Sequence, residues 1–468
     1  MKRNILITFL IIIFNLLPVF AKIDVVYPSA KNVTINSKET YFSGNVDENS
    51  ILTINSVPVK LWDNRFFIHM VPLEYGNNII NLEQNLNGQK ESVTYNITRP
   101  KPVVKSNSTQ TPIKYEKNTD GILYSKTIKD KATVREKPSV GGKRVVDLPV
   151  NTVLYLDGKL GNYYKIDETG ESEFWIHSSN IEAPVNVNKR IYAKVKKHKI
   201  FEDNLYTYHK FYTSHPVLYT FKQNDKNLKL SLYGADEKNA DNKNFYYEFQ
   251  FSSPVLGYEG YYDENAFIVK IAKNPKVEDL NMPLKGINIF IDAGHGGNEK
   301  GTVSPERIYE KDINLDIANN LIKLLQSDGA NVSFSRTDDI QVKLYDRVDN
   351  AKKNNALISV SIHCNSLPYG KNPYIEHGTE VHYYNENAKM LSAIIKNNLV
   401  NDLSLKDNGV KLSSFALNRS TNPVSALVEV AYFLNPEEYM LLKNEIFRKN
   451  VAKSIEKSIK QYISCIKN

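Results

Sequence analysis

The stretch Ile287-Asn288-Ile289-Phe290-Ile291-Asp292-Ala293-Gly294-His295-Gly296-Gly297 decides how this chain is read. Its apolar run has the length of a buried strand, and it breaks into a glycine-rich loop that carries a histidine just past the strand end. A regular alternation follows. Ile313, Ile317, Leu321, Leu324 and Leu325 recur at helical spacing and predict a helix over 310–327, with Gly329 as its stop signal. Next come a strand over 332–334, a helix over 344–354, strands over 357–363 and 379–384, a helix over 387–401, a strand over 426–430 and one or two helices over 436–463. Strands alternating with helices predict an α/β domain over 285–468, with a mainly parallel sheet flanked by helices on both faces. Ligand sites in such sheets lie at the carboxyl ends of the strands.

Outward from this domain the pattern is β. At 468 residues the chain is too long for one core, so several all-β modules preceding the α/β domain are expected. Residues 22–100 hold short alternating runs such as 39–44, 51–55 and 92–97 between turn residues, which fit a sandwich of about seven strands. This segment resembles the immunoglobulin-like modules of bacterial wall enzymes. Residues 101–120 are rich in Lys, Ser, Thr, Asn and Pro and read as a linker. Residues 121–183 resemble a bacterial Src-homology-3-like small β-barrel, from the Arg135-Glu136-Lys137-Pro138 opening to the terminal Trp175, although Phe174 stands where that family has Gly. Tyr163, Tyr164 and Trp175 suit either an aromatic groove or core packing. Residues 188–280 form another β-rich module, either wall-targeting or structural.

At the N-terminus, Lys2-Arg3, the apolar run from Ile5 to Phe14 and the small residues ending at Ala21 read as a secretory signal peptide over 1–21. No later stretch is apolar enough to span a membrane, so a secreted protein of the periplasm or cell wall is expected. The formal charge of +8 is modest and dispersed. It suits either loose attraction to anionic wall polymers or membrane surfaces or a plainly solvated Lys-rich surface, and gives no ground for nucleic acid. Two cysteines, Cys364 and Cys465, are too few for a disulfide scaffold, and the sequence leaves their pairing open.

Four polar groups converge on one sheet edge: His295 past the first strand, Glu310 at a helix start, His363 ending a strand, and Glu429 inside Leu427-Val428-Glu429-Val430. A charged group in such a run is costly to bury without a partner. Catalytic zinc takes three protein ligands, commonly two His and one carboxylate, and keeps a fourth position open. His295, Glu310 and His363 supply that set, with Glu429 left over as a general base. Singly, each residue has a plainer reading, such as a hydrogen-bonded strand-end histidine or a glutamate serving the helix dipole.

Across 287–463 the chain resembles the zinc-dependent N-acetylmuramoyl-L-alanine amidases. The resemblance rests on Ile291 to Gly297, Glu310-Lys311-Asp312 with Asn314-Leu315, Ser335 to Asp339, Leu344 to Arg347, Ser361 to Asn365, and Val428 to Glu438. It implies zinc (Zn2+, one per catalytic domain) on His295, Glu310 and His363, catalysis by Glu429, and peptidoglycan as the substrate. Partners at the wall or septum would come through the β modules. Ala293 for a common Pro, Cys364 and Ser366 for small Ala, and an atypical 418–425 segment depart from the family without removing a ligand. The implied reaction is hydrolysis of the muramoyl–L-alanine amide by activated water. Asp292 is expected either to orient a ligand histidine or to cap the turn. Arg336 and Arg347 are expected as ion-pair residues or substrate contacts, and His377 and His382 as surface histidines. The interval from His363 to Glu429 is too short for an autoinhibitory helix, so an open site is expected. Two other readings remain: a zinc endopeptidase acting on stem peptides, since fold alone does not fix the bond, and a non-catalytic wall-binding protein.

Overall fold

The computed structural model of the chain describes residues 22–102, 114–167, 169–170, 172–236 and 244–467. The expected signal peptide and residues 103–113 of the expected linker lie outside the described residues. No helix among the described residues is long and apolar enough to cross a membrane.

The apolar run that opens the α/β region is strand β1 (Asn288–Ala293). After it come α1 (Glu310–Ser327), β2 (Asn331–Phe334), α2 (Leu344–Lys353), β3 (Ile358–Asn365), β4 (Thr379–Tyr383), α3 (Lys389–Leu403), β5 (Asp407–Leu412), β6 (Val424–Tyr432), α4 (Pro436–Lys443) and α5 (Glu445–Ile466). These strands make one sheet of order β2-β1-β3-β6-β4-β5. Neighbours run parallel except β4 against β6. That exception has a local cause. The loop after β3 returns to the sheet at the same edge without a crossover helix, so β4 must run the opposite way. Strand β5 is not among the strands expected from the sequence, and it contains the turn pair Asn408-Gly409. As the edge strand it tolerates them.

The helical stripe of α1 lies inside: Ile313, Ile317, Leu321 and Leu325 join Val451, Ile455, Ile459 and Ile463 of α5 and the strand residues Ile289, Ile291, Val360 and Ile362 in one core. Truncating one of the fully buried members, such as Leu321, costs about 2–5 kcal/mol by the general behaviour of core cavities. On the other face of β1, Phe290 packs with Ala351 of α2 and Ala356. The packing leaves the carboxyl ends of β1, β3 and β6 at one rim.

Residues 24–99 form a three-stranded sheet (Asp24–Tyr27, Glu39–Asn45, Phe66–Pro72) and a five-stranded sheet, eight strands in all. Phe42, Phe67, Leu82 and Ile97 lie in the core of this sandwich. Between the sandwich and the α/β region, one apolar cluster runs from Val134, Leu156 and Ile176 through Phe211, Leu230 and Phe267. The segments 121–183 and 188–280 therefore share a core. Tyr163 and Trp175 are buried, and Tyr164 packs, partly buried, against this shared core. Residues 116–117 also pair with 158–159, and the Tyr115 ring stands edge-on to Trp175 at 5.9 Å. The last part of the expected 101–120 linker is thus folded onto the sheet formed by residues 122–187, because Tyr115 covers an apolar ring that would otherwise face water.

Candidate metal centre

Beyond β1 the backbone turns sharply. His295, Gly296 and Gly297 have φ of 59°, 135° and 56°, a left-handed run that glycine adopts freely and histidine does not. The turn carries the His295 imidazole back over the strand end. Gly294 permits close approach: a Cβ there would stand 2.3 Å from Cε1 of His363. Gly301 does the same for the other ligand, since its Cβ would lie 2.5 Å from Glu310 Oε2. Side chains at either position would push the three groups apart.

Glu310 opens α1 and is 4% exposed. Its Oε1 lies 3.0 Å from His363 Nδ1 and 3.2 Å from His295 Nε2. The amides of Cys364 (3.2 Å) and Thr302 (2.8 Å) and the side-chain NH2 of Asn314 (3.2 Å) donate to the same carboxylate. One ligand atom from each of His295, Glu310 and His363 lies within 4.8 Å of the others. Burial works to raise the Glu310 pKa, but hydrogen bonds and charge from His295 and His363 outweigh it and hold the carboxyl far below its usual range. Burial likewise works to lower His295, and Glu310 overcomes it and raises the imidazole.

Glu429 is the cross-strand neighbour of His363 in the parallel pairing of β3 with β6. Its Oε2 is buried and has no hydrogen-bond partner among the described residues. Burial, then the negative charges of Glu310 and Glu380, push its pKa well above the usual carboxyl value. All four residues line one cleft of about 380 Å³ together with Tyr27, Gly301, Thr302, Cys364, Asn365 and Ser366. Two imidazoles and a carboxylate make the donor set that hydrolytic zinc takes, and the residue with the unpartnered carboxyl oxygen, Glu429, lines the same cleft. The residues present fit that ion.

The other expected site residues lie elsewhere. Arg347 is 3% exposed and its guanidinium is spent on Asp292 (2.7 Å), on the carbonyl of Ala293 (2.8 Å) and on that of His295 (2.7 Å). Arg336 donates to the carbonyls of Ala293, Gly294 and Lys311. Neither lines the cleft. They brace the turn that carries His295, because five guanidinium donors satisfy the carbonyls a tight loop leaves unpaired. Asp292 holds Arg347 and the Ser361 hydroxyl (2.6 Å) and makes no hydrogen bond to a ligand histidine. It reaches His295 only through Arg347. His382 is buried rather than on the surface and bonds Glu380 (3.1 Å) and Ser413 (2.8 Å), whereas His377 is half-buried and pairs with Glu438 at 2.7 Å. Cys364 is buried, Cys465 is exposed, and both are free thiols.

Glu380, Asn365 and Tyr27 were not singled out from the sequence. Glu380 carried a usable signal, a carboxylate in the strand run Thr379-Glu380-Val381, the same kind of anomaly that marks Glu429. Tyr27 carried none, since its role depends on which surface the sandwich meets.

Residues 289–461 match the family described as N-acetylmuramoyl-L-alanine amidase (Amidase_3). The chain is 35% identical to the uncharacterized protein YqiI of Bacillus subtilis over 38% of this chain and 86% of that one. It is 32% identical to the N-acetylmuramoyl-L-alanine amidase LytC of the same organism, over 39% of this chain and 37% of LytC. Among solved structures, an N-acetylmuramoyl-L-alanine amidase from Clostridium difficile 630 shares 33% identity over 38% of this chain and 98% of that chain, with a TM-score of 0.37. By its 289–461 region this chain belongs to the N-acetylmuramoyl-L-alanine amidase family.

Proposed function

We propose that the chain is a zinc-dependent peptidoglycan hydrolase cleaving the amide between N-acetylmuramic acid and the L-alanine of the stem peptide. The observation that carries this reading is the buried, unpartnered Oε2 of Glu429 beside the His295–Glu310–His363 cluster. The name of LytC, a relative of the α/β region, supports the bond assignment.

His295, Glu310 and His363 would hold a zinc ion, which when bound would supply Lewis acidity toward the scissile carbonyl and the attacking water. Glu429 takes a proton from that water and returns it to the departing alanine nitrogen. Burial, then the charges of Glu310 and Glu380, raise its pKa, so the carboxylate holds the proton it takes from the water long enough to deliver it to the leaving amine. Thr302 and Cys364 fix Glu310 through their backbone amides, so the carboxylate cannot swing away from the histidines. Arg347 fixes the carbonyl of His295 and thereby the ring's position. The enzyme is exported by its N-terminal segment, and the β modules hold it to wall polymers.

Digesting purified peptidoglycan with the full chain and analysing the products by mass spectrometry tests the reading. Free stem peptides with intact glycan strands are expected. Shortened peptides would make it an endopeptidase, and no products a wall-binding protein.

A further inference from the structure

The cleft has a wall that the family region does not supply. Every lining residue but one lies between 295 and 429, and the exception is Tyr27, from the first strand of the N-terminal sandwich. Its seat is built from several independent contacts. Tyr27, Tyr41 and Tyr369 form a triangle of rings with centroid separations of 5.8, 6.2 and 6.1 Å. The Tyr41 hydroxyl donates to the carbonyl of Leu367 at 2.7 Å, and the amide of Ser29 donates to the Tyr369 hydroxyl at 3.2 Å. Gly370 allows this approach, since a Cβ there would meet Ser37 at 2.5 Å.

A second set of contacts grips the loop on the opposite side of the ligands. Arg307 makes two 2.6 Å bonds to Asp24, and the side chain of Asn45 donates to the carbonyl of Pro305 at 2.8 Å. The sandwich therefore braces both loops that frame the cleft, 302–309 and 366–376, with Tyr27 between them. Burial raises the pKa of the Tyr27 phenol, so the group stays neutral. Its own O–H is given no acceptor among the described residues. A phenol so held presents one donor and one aromatic edge to whatever occupies the cleft.

We propose that the N-terminal sandwich completes the substrate cleft and that Tyr27 is a substrate-positioning residue, donating to a carbonyl or hydroxyl oxygen of the muramoyl–peptide junction. This rests on the amidase reading for the identity of the substrate. The sandwich is then part of the active site, and the geometry of the first strand sets which substrates fit.

The test uses the full chain with its metal. Tyr27→Phe and Tyr27→Ala are compared with the parent for KM and kcat on soluble peptidoglycan fragments, for zinc content and for Tm. In parallel, binding of N-acetylmuramoyl-L-alanyl-D-isoglutamine is measured by calorimetry in the turnover-deficient Glu429→Gln background, with and without the Tyr27 change. Loss of one hydrogen bond predicts a KM and Kd rise of about fivefold for Tyr27→Phe, and about tenfold for Tyr27→Ala, with zinc content and Tm unchanged. Unchanged KM and Kd would overturn the proposal, as would a kcat loss that only follows a fall in Tm or zinc. A parent that binds the probe Tyr27-dependently but releases no stem peptide would refute the amidase reading and leave the cleft assignment standing. A parent that neither binds nor cleaves would refute both.

Discussion

Glu380 and Glu429 face each other across the antiparallel pairing of β4 and β6. Their surroundings differ sharply. Glu380 accepts from Asn365 at 2.7 Å, Asn408 at 2.6 Å and His382 at 3.1 Å, and pairs with Lys411 at 2.6 Å. Burial works against its charge, but these partners hold its pKa below the usual value. Glu429 has no such partners and is pushed the other way. One strand pair thus holds one carboxyl kept ionised beside one pushed toward its protonated form.

Replacing Glu429 with Gln keeps the shape and removes the proton acceptor. Turnover should fall about 10²- to 10⁴-fold, the usual share of general acid–base catalysis, while bound zinc is retained. Parallel kinetics and metal analysis on one preparation check this.

Glu380→Gln removes a negative charge that raises the Glu429 pKa. Losing a like charge makes the ionised form of Glu429 easier to reach, so its pKa must drop. The acidic limb of kcat/KM against pH should therefore move to lower pH. A limb that stays in place, or moves up, would contradict the assignment.

The Asp292–Arg347 pair, with side chains 0% and 4% exposed, is a stability prediction. Arg347→Ala leaves a buried carboxylate without its cation, which generally costs about 3–5 kcal/mol. Urea unfolding should show a lower midpoint at unchanged slope. Because the same guanidinium holds the His295 carbonyl, zinc affinity should weaken in the folded variant.

In the middle β region, burial and then the neighbouring His198, whose ring nitrogen is 3.0 Å away, depress the His209 pKa to about 4. The unfolded chain takes up this proton near pH 6.5, and the folded one only near 4. Stability is therefore whole above pH 6.5 and is lost progressively as pH falls toward 4. His209→Gln should flatten that part of the curve of Tm against pH.

The parts of this molecule legible in the sequence are those fixed by local periodicity. The stripe Ile313, Ile317, Leu321 gives α1 its length, and the apolar run before His295 gives β1. Histidines and glutamates at strand ends stand out because burying them is expensive, which is how His295, His363 and Glu429 are found. Contacts set by the meeting of distant surfaces leave no such trace. Tyr27 looks like any strand tyrosine until Asp24 and Arg307, 283 positions apart, bring its sheet to the cleft. The destinations of Arg336 and Arg347 were hidden for the same reason, since loop carbonyls have no sequence signature.

Metal content tests the central claim most directly. Elemental analysis of the purified full chain should find about one zinc, lost in His295→Ala and His363→Ala, with hydrolysis abolished by chelation and restored by added zinc. A chain that cleaves peptidoglycan at full rate while free of metal and indifferent to chelators would contradict it.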